Sequence, residues 1–159
     1  MLTYSSAVLY VSLFLGLYYQ IFLLITFFEK SEGSHGLGIP DINSPDLPTV
    51  SVIVPCFNEE KTVAKTVLSL LELNYPKEKL NIVVVDDGSK DSTYAEALKL
   101  TRFPNVKVFT QKNGGKYTAL NFGIKNATTE IVGCLDADST VHKDSLLKMV
   151  PYFKIEKVV

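Results

Sequence analysis

The stretch Asp86–Thr93 constrains the fold of this 159-residue chain more than any other part of the sequence. It reads Asp-Asp-Gly-Ser-Lys-Asp-Ser-Thr and follows an apolar, β-branched run, Ile82–Val85, that predicts a buried strand. Gly88 permits a sharp turn, and Asp91 or Ser92 can cap a helix that follows. Two carboxylates therefore stand at the carboxyl end of a strand, where open α/β sheets bind ligands. Taken alone, the stretch is equally compatible with an ordinary turn, since Asp, Gly and Ser are common turn residues.

Apolar runs of strand length alternate with segments of helical periodicity from residue 50 onward. The predicted strands are Val50–Val54, Leu80–Val85, Val106–Thr110 and Ile131–Leu135. The predicted helices are one that begins at Asn58 and ends near Asn74, followed by Thr93–Leu100, Thr118–Lys125 and Lys143–Tyr152. This alternation predicts a doubly wound, largely parallel α/β sheet.

Single residues refine these elements. Pro55 is expected to end the first strand, because proline has no amide proton for a ladder. Asn58 is expected to be the N-cap of the first soluble helix, with Glu59 and Glu60 in its first turn. In the helix after the glycine pair, the apolar positions predicted to face inward are Ala119, Leu120 and Ile124.

Composition excludes several classes of protein. The chain is 47% apolar and 21% charged, with a formal net charge of -1 and no basic cluster, so it shows no sign of nucleic-acid binding. Cys56 and Cys134 are far apart and lack Cys-x-x-Cys spacing, which argues against a zinc site. Both lie in or beside apolar runs and are expected to be reduced core residues of a cytosolic domain. His35 and His142 are isolated and expected to be exposed.

The amino-terminal segment reads as a membrane anchor. Residues 7–28 carry no charge and would span about 33 Å as a helix, enough to cross a bilayer core. A secretory signal peptide is the alternative, but the segment lacks a basic start and closes on Phe-Phe-Glu-Lys. Lys30 leans weakly toward a cytoplasmic carboxyl side. We expect a single-pass anchor at residues 1–30, an irregular linker at 31–48 and a soluble, cytoplasmic domain at 49–159.

Acidic or amide side chains follow three of the four predicted strands. They are Asn58 with Glu59, Asp86 with Asp87, and Asp136 with Asp138. A parallel sheet brings these strand ends to one edge, where gathered carboxylates need a cation or hydrogen-bond donors. The i, i+2 spacing of the last pair places both side chains on one side of an extended chain, which suits a hard divalent cation shared with phosphates.

Two other nucleotide-binding motifs are excluded. Gly115-Lys116 is not a P-loop, because Tyr117 follows the lysine and Thr110 stands where the first glycine belongs. No Gly-x-Gly-x-x-Gly follows the first strand, so a standard dinucleotide-binding fold is not expected.

Four motifs in order carry a resemblance to a known family. They are Val52–Glu60, Val84–Thr93, Asn113–Gly123 and Leu135–Asp138. On these motifs the chain resembles the family 2 glycosyltransferases, which have a GT-A fold. The preceding apolar helix resembles the polysaccharide-synthase branch of that family.

This resemblance implies a nucleotide-sugar donor, often UDP-linked, a Mg²⁺ or Mn²⁺ ion, and a glycan or lipid acceptor. The implied nucleoside pocket is formed near Pro55, Phe57 and Glu59. Asp86 or Asp87 would contact the base or ribose, and Lys116 would approach the phosphates. Asp138 would bind the metal, with Asp136 in support or at the ribose.

The resemblance also implies parts that the sequence does not contain. The acceptor half of the family supplies a catalytic base and, in synthases, a Gln-x-x-Arg-Trp motif, yet this sequence has no Trp. No residue after Asp138 is a good candidate for the base, so the catalytic residue is left unassigned. The leading hypothesis is the amino-terminal portion of a membrane glycosyltransferase. The alternatives are a nucleotide-sugar-binding module completed by a second chain, and a degenerate remnant.

Overall fold

The computed structural model of the chain describes residues 4–32 and 38–154. The chain divides into two compact units, residues 1–37 and 38–159. The described part of the first unit is the helix α1, Tyr4–Glu32. Within it, Val8–Thr26 is long and apolar enough to cross a membrane, and none of this segment is buried against protein.

The second unit has a parallel sheet with helices on both faces. Its strands are β1 (Val50–Cys56), β2 (Leu80–Asp86), β3 (Val106–Thr110) and β4 (Ile131–Cys134). Its α-helices are α2 (Val63–Leu71), α3 (Thr93–Leu98), α4 (Lys116–Asn126) and α5 (Ser145–Met149). Short 3₁₀ turns cover Lys77–Lys79, Lys99–Arg102 and Val150–Lys154. The described strands lie in the order β3-β2-β1-β4 and all pairs are parallel, so the predicted fold class is confirmed.

Strand alternation divides the interior into two apolar clusters. Side chains at successive strand positions point to opposite faces. Val52 and Val54 pack on the face covered by α2, α3 and α5, whereas Ile53 packs with Val83 and Ala119 on the face covered by α4. The central strands β1 and β2 are therefore apolar at nearly every position, as expected for a sheet covered on both sides.

Residues 38–48, which were predicted to form part of the linker, lie in the second unit. Leu47 is buried, and the backbone oxygens of Pro45 and Leu47 each accept a hydrogen bond of 2.7 Å from Lys79 Nζ. Tyr75 donates its hydroxyl to the backbone oxygen of Pro48 at 2.5 Å. The domain boundaries stay a prediction, and residues 33–37 of the linker lie outside the described residues.

The prediction for the start of α2 was wrong. The helix begins at Val63, with Thr62 rather than Asn58 at the N-cap. Asn58 has a φ of 56°, the left-handed region, which is uncommon for residues other than glycine. The prediction failed because the backbone amides at this turn donate to a neighbouring loop rather than to a local cap.

Strand β1 runs one residue beyond Pro55, to Cys56, in contrast to the prediction. The backbone oxygen of Ile53 accepts a bond from the Leu135 N–H, so the backbone polar groups of Ile53 point toward β4. Those of Pro55, two residues later, point toward the same side. The pairing of β1 with β4 has already ended at Ile53. The absence of an N–H on Pro55 therefore costs the sheet no hydrogen bond.

Other element ends moved by a few residues. The predicted last helix is split into α5 and a 3₁₀ turn that contains Pro151, whose missing N–H disfavours a continuous helix. The predicted helix after β2 likewise ends at Leu98 and continues as a 3₁₀ turn.

Two predictions of burial were also wrong. Ile124 is exposed, and the close contact of α4 with the sheet is made by Ala119 and Gly123 instead. Cys134 is exposed, whereas Cys56 is buried as expected. Cys134 lies on β4, which pairs with β1 alone among the described strands and alternates between partly buried and exposed positions.

Candidate active site

The carboxyl ends of the strands surround a cleft of about 460 Å³. Its lining comes from the end of β1, from the loops after β1, β2, β3 and β4, and from the start of α4. The lining residues are Pro55, Cys56, Phe57, Glu59, Asp87, Asn113, Gly115, Lys116, Ala119, Asp136, Ala137 and Asp138. Of the eight residues predicted from the sequence to bind substrate or metal, all except Asp86 are in this lining.

Two strand-end loops are bound to each other beside the cleft. The backbone N–H of Asn58 donates to Ser89 Oγ at 2.9 Å, and the backbone N–H of Lys90 donates to Asn58 Oδ1 at 2.9 Å. This reciprocal pair joins the loop after β1 to the loop after β2. It also explains why Asn58 is not a helix cap, because its side-chain oxygen accepts a bond from the loop after β2 instead.

A second set of bonds extends the same connection. The Glu60 N–H donates to Asp91 Oδ2 at 3.2 Å, and the Ser92 N–H donates to Glu60 Oε2 at 3.0 Å. The Glu59 N–H donates to Thr93 Oγ1 at 2.7 Å. Ser92 is the N-cap of α3 and makes no side-chain cap bond, whereas Asp91, one residue earlier, accepts the Thr93 N–H on its Oδ1 at 3.0 Å. The polar residues of both motifs thus fix the backbone that carries Phe57 and Glu59.

The predicted nucleoside end of the cleft combines an apolar ring with an acid. Phe57 is 43% exposed although its neighbour Cys56 is buried, so its ring is available at the cleft surface. Glu59 is held by Thr62, whose hydroxyl donates to Glu59 Oε2 at 2.5 Å. An exposed ring beside a fixed hydrogen-bond acceptor is suited to an aromatic base and its polar edge.

Asp86 and Asp87 are both buried, and they have different surroundings. Asp86 is 2% exposed, and its carboxylate accepts bonds from Thr110 Oγ1 at 2.9 Å and the Ser89 N–H at 3.2 Å. It holds the ends of β2 and β3 together and does not line the cleft. Its predicted contact with the base or ribose stays a prediction.

Asp87 is 3% exposed and accepts bonds from the loop that precedes α4. Its donors are the Gly115 N–H at 2.8 Å, the Gly114 N–H at 3.1 Å and Gln111 Nε2 at 2.7 Å, with Thr118 Oγ1 at 3.4 Å. Burial opposes ionisation of this carboxyl, but the hydrogen bonds outweigh it and hold the pKa below its ordinary value. Sequence reasoning missed this network, because two of its four donors are backbone groups and all four lie 24 to 31 residues away along the chain.

Lys116 and Asp136 form an exposed ion pair across the cleft. Lys116 Nζ lies 2.6 Å from Asp136 Oδ1. The bond to Asp136 raises the pKa of Lys116 above its ordinary value, so this amine is charged at neutral pH. A cation therefore stands beside the two carboxylates of the Asp-Ala-Asp segment.

The Asp-Ala-Asp segment after β4 is anchored at its middle residue. Ala137 is buried, and its backbone oxygen accepts a bond of 2.7 Å from the hydroxyl of Thr66 on α2. Asp136 and Asp138 remain exposed and both line the cleft. The bond recorded at the Asp138 carboxylate is a long one, 3.3 Å, from Ser139 Oγ. Asp138 is thus available to a ligand in the cleft.

Residues 51–159 match the family described as "Glycosyl transferase family 2". The chain belongs to this family.

Curated relatives from the family agree with the assignment. The chain is 33% identical over 153 residues to the poly-beta-1,6-N-acetyl-D-glucosamine synthase of Staphylococcus aureus (strain COL), and 33% identical over 147 residues to the synthase of the same name in Staphylococcus epidermidis. These alignments cover 95% and 92% of this chain. They cover 36% and 35% of the synthases, so the chain spans about a third of the length of these relatives.

Solved structures of glycosyltransferases share the fold. The mannosyltransferase PcManGT from Pyrobaculum calidifontis, solved with GDP-Man and Mn²⁺, superimposes with a TM-score of 0.67 at 30% identity. The superposition covers 83% of this chain and 39% of the mannosyltransferase chain. Residues 1–349 of S. aureus TarS, solved with UDP-GlcNAc, give a TM-score of 0.59 at 36% identity over 62% of this chain and 29% of that one. A GT-A-like glycosyltransferase fold is therefore established for the second unit.

The donor set of the cleft fits a divalent cation whose ligands come partly from its substrate. Within residues 4–32 and 38–154, no group of three or more His, Cys, Asp and Glu side chains is arranged to hold a metal. Asp136 and Asp138 offer hard oxygen ligands in the cleft, and Mg²⁺ is typically bound by one or two carboxylates plus phosphates and water. The residues present thus fit the Mg²⁺ or Mn²⁺ that the resemblance implies.

Proposed function

We propose that this chain binds a nucleotide-sugar donor in the cleft with a divalent cation and takes part in transfer of the sugar to a glycan or lipid acceptor. The observation that carries the proposal is the convergence of four motifs on one cleft. That cleft has an apolar ring and an acid at Phe57 and Glu59, and a cation beside two carboxylates at Lys116, Asp136 and Asp138.

The parts of the cleft divide the recognition of the donor between them. The loop with Pro55, Phe57 and Glu59 would receive the nucleoside, and its bonds to the neighbouring loop keep it in place without reorganisation on binding. Lys116 would leave Asp136 to contact the diphosphate, and Asp138, with Asp136 in support, would hold the cation. A bound Mg²⁺ or Mn²⁺ supplies Lewis-acid stabilisation of the charge that develops on the leaving diphosphate.

The chemistry of two relatives supports a nucleoside-diphosphate donor. TarS has been solved with UDP-GlcNAc and with UDP, and PcManGT with GDP-Man and Mn²⁺. We propose a UDP-linked sugar for this chain, since its identity to TarS is the higher of the two.

We further propose that Val8–Thr26 spans the membrane once and that residues 38–159 face the cytoplasm. The segment's length and composition support the span. Nucleotide-sugar donors supplied in the cytosol support the orientation, and Lys30 agrees weakly with it.

The test of donor binding is titration calorimetry of UDP with Mn²⁺ on the full chain in detergent. Asp138→Ala removes a carboxylate available to the cation, so we expect loss of metal-dependent UDP binding. Asp46→Ala is the matched control, because Asp46 is also an exposed aspartate but lies before β1, at the opposite edge of the sheet. Unchanged UDP affinity in Asp138→Ala would remove Asp138 from the metal site. UDP binding without sugar transfer to any acceptor would favour a module completed by a second chain.

A further inference from the structure

The carboxylate of Asp87 occupies the glycine turn in front of α4. The N–H groups of Gly114 and Gly115 both point at this carboxylate, at 3.1 Å and 2.8 Å. In phosphate-binding loops the backbone N–H groups of such a turn point at the ligand. Here an internal anion already takes these donors, so recognition of a diphosphate falls to the side chains of the cleft.

The backbone at Gly88 and the side chain of Gln111 hold Asp87 in this position. Gly88 has a φ of 72°, and a Cβ there would lie 2.8 Å from the backbone nitrogen of Asn113, so the turn approaches the loop as only glycine allows. Gln111 Nε2 lies 2.7 Å from both Asp87 Oδ1 and Thr118 Oγ1. Asp87 is therefore joined to the first turn of α4 as well as to the glycines.

Lys116 depends on the same turn. It directly follows Gly115 and is the first residue of α4, and its amine reaches across the cleft to Asp136 at 2.6 Å. A lysine side chain has four rotatable bonds, so the position of its backbone decides which part of a bound donor the amine can reach. The bonds from Gly114 and Gly115 to Asp87 set that backbone position.

We infer that Asp87 is a positioning residue for the diphosphate end of the donor: it fixes the Gly114–Gly115 turn and thereby places Lys116 within reach of the phosphates. The inference rests on the proposed function and assigns Asp87 a role different from the base or ribose contact expected from the sequence. It predicts that Asp87 acts through Lys116 and not through the nucleoside.

A double-mutant cycle on the full chain in detergent tests this coupling. The variants are Asp87→Asn, Lys116→Ala and the two combined, and the probe is UDP with Mn²⁺ in calorimetry. Loss of a charged hydrogen-bonding group weakens binding by about tenfold or more, so we expect each single variant to lose about this much UDP affinity. The double variant should bind no more weakly than the weaker single variant.

A second probe separates the phosphates from the nucleoside. Uridine lacks the diphosphate, and its weak binding is measurable by ligand-observed NMR. Asp87→Asn should leave uridine affinity unchanged while it lowers UDP affinity. A purely structural defect would lower both.

Gln111→Leu provides a variant that leaves the cleft lining intact. Gln111 does not line the cleft, yet it donates to Asp87, so its loss should also weaken UDP binding, by less than Asp87→Asn. Thr110→Val is the matched control. It removes the corresponding bond to the neighbouring carboxylate of Asp86, which accepts bonds from Thr110 and Ser89 rather than from the glycine turn. Thr110→Val should therefore leave amide exchange at Gly114 and Gly115 unchanged, whereas Gln111→Leu should accelerate it.

Amide hydrogen exchange gives a readout that needs no ligand. Asp87→Asn should accelerate exchange at Gly114 and Gly115, and unchanged exchange there would overturn the inference. Additive losses in the double variant would overturn it, because Asp87 would then act independently of Lys116. Parallel losses for UDP and uridine would also overturn it, in favour of a direct nucleoside contact or a general structural role. Failure of the wild-type chain to bind UDP with Mn²⁺ would instead overturn the proposed function, and with it the role of Lys116.

Discussion

At Asp87, ionisation and folding are linked. The lowered pKa means that the folded chain favours the carboxylate more than the unfolded chain does. The ionised form therefore adds stability at any pH above the ordinary value of 3.8, and this contribution is lost as pH falls below 3.8 through the folded pKa. We expect Asp87→Asn to be less stable than wild type by about 1–3 kcal/mol at neutral pH, since buried donors lose their charged acceptor.

Urea unfolding over a series of pH values measures this effect. The free energies of unfolding of wild type and Asp87→Asn should converge as the pH falls below 3.8. A difference that stays constant down to the most acidic condition would show that the ionised form of Asp87 is not what stabilises the glycine turn.

Among the elements, α4 and β1 make an unusually close contact. A Cβ at Gly123 would lie 2.5 Å from Ile53 Cγ2, which is below any normal carbon–carbon contact. Alanine is the better helix former by about 1 kcal/mol, but overpacking typically costs about 1–3 kcal/mol. We expect Gly123→Ala to destabilise the domain, or at best to leave its stability unchanged, because the clash opposes the gain in propensity.

Gly133→Ala on β4 is the matched control for this substitution. No atom lies within 4 Å of a Cβ built at Gly133, so the change should alter the free energy of unfolding by less than about 0.5 kcal/mol. If chemical denaturation showed Gly123→Ala to be clearly stabilising, the close packing of α4 on β1 would be wrong.

The strands were predictable from the sequence, and the helix starts were less so. β3 was predicted with its observed bounds, because an apolar β-branched run between turn residues can be recognised from the local sequence alone. The start of α2 was missed because the amides of Asn58, Glu59 and Glu60 donate to a loop about 31 to 34 residues away. The bond partners of a turn are set by tertiary structure, which periodicity does not report.

The residues that line the cleft were predictable from the sequence, but the hydrogen bonds among them and their neighbours were not. Strand order and the carboxyl-edge rule brought seven of the eight predicted residues to one cleft. The burial of Asp86 and the network of Asp87 could not be foreseen, because their donors include backbone N–H groups that every residue type offers. Likewise, Ile124 was misplaced because a glycine, not a large apolar residue, makes the closest contact of α4 with the sheet.

For the chain as a whole, labelling of its two thiols can test on which side of the membrane the second unit lies. Burial, with the charge of Asp86 and other nearby acids, raises the pKa of Cys56 to about 12, so this thiol is unreactive in the folded chain. Cys134 is accessible to solvent. The protein around its sulfur and the charge of Asp136 raise its pKa, but less than the pKa of Cys56 is raised. We therefore expect a maleimide to label Cys134 alone in the native chain and both thiols after denaturation.

A membrane-impermeant maleimide then tests the proposed orientation in cells that express the chain. If residues 38–159 face the cytoplasm, Cys134 should be protected in intact cells and labelled once they are lysed, with the chain recovered in the membrane fraction. Cys134→Ser should abolish the signal and Cys56→Ser should preserve it, which assigns the label to a single site. Labelling of intact cells would place the domain outside, away from a cytosolic donor. Recovery in the soluble fraction would contradict the membrane span at Val8–Thr26, which has the length and composition to be held in a bilayer.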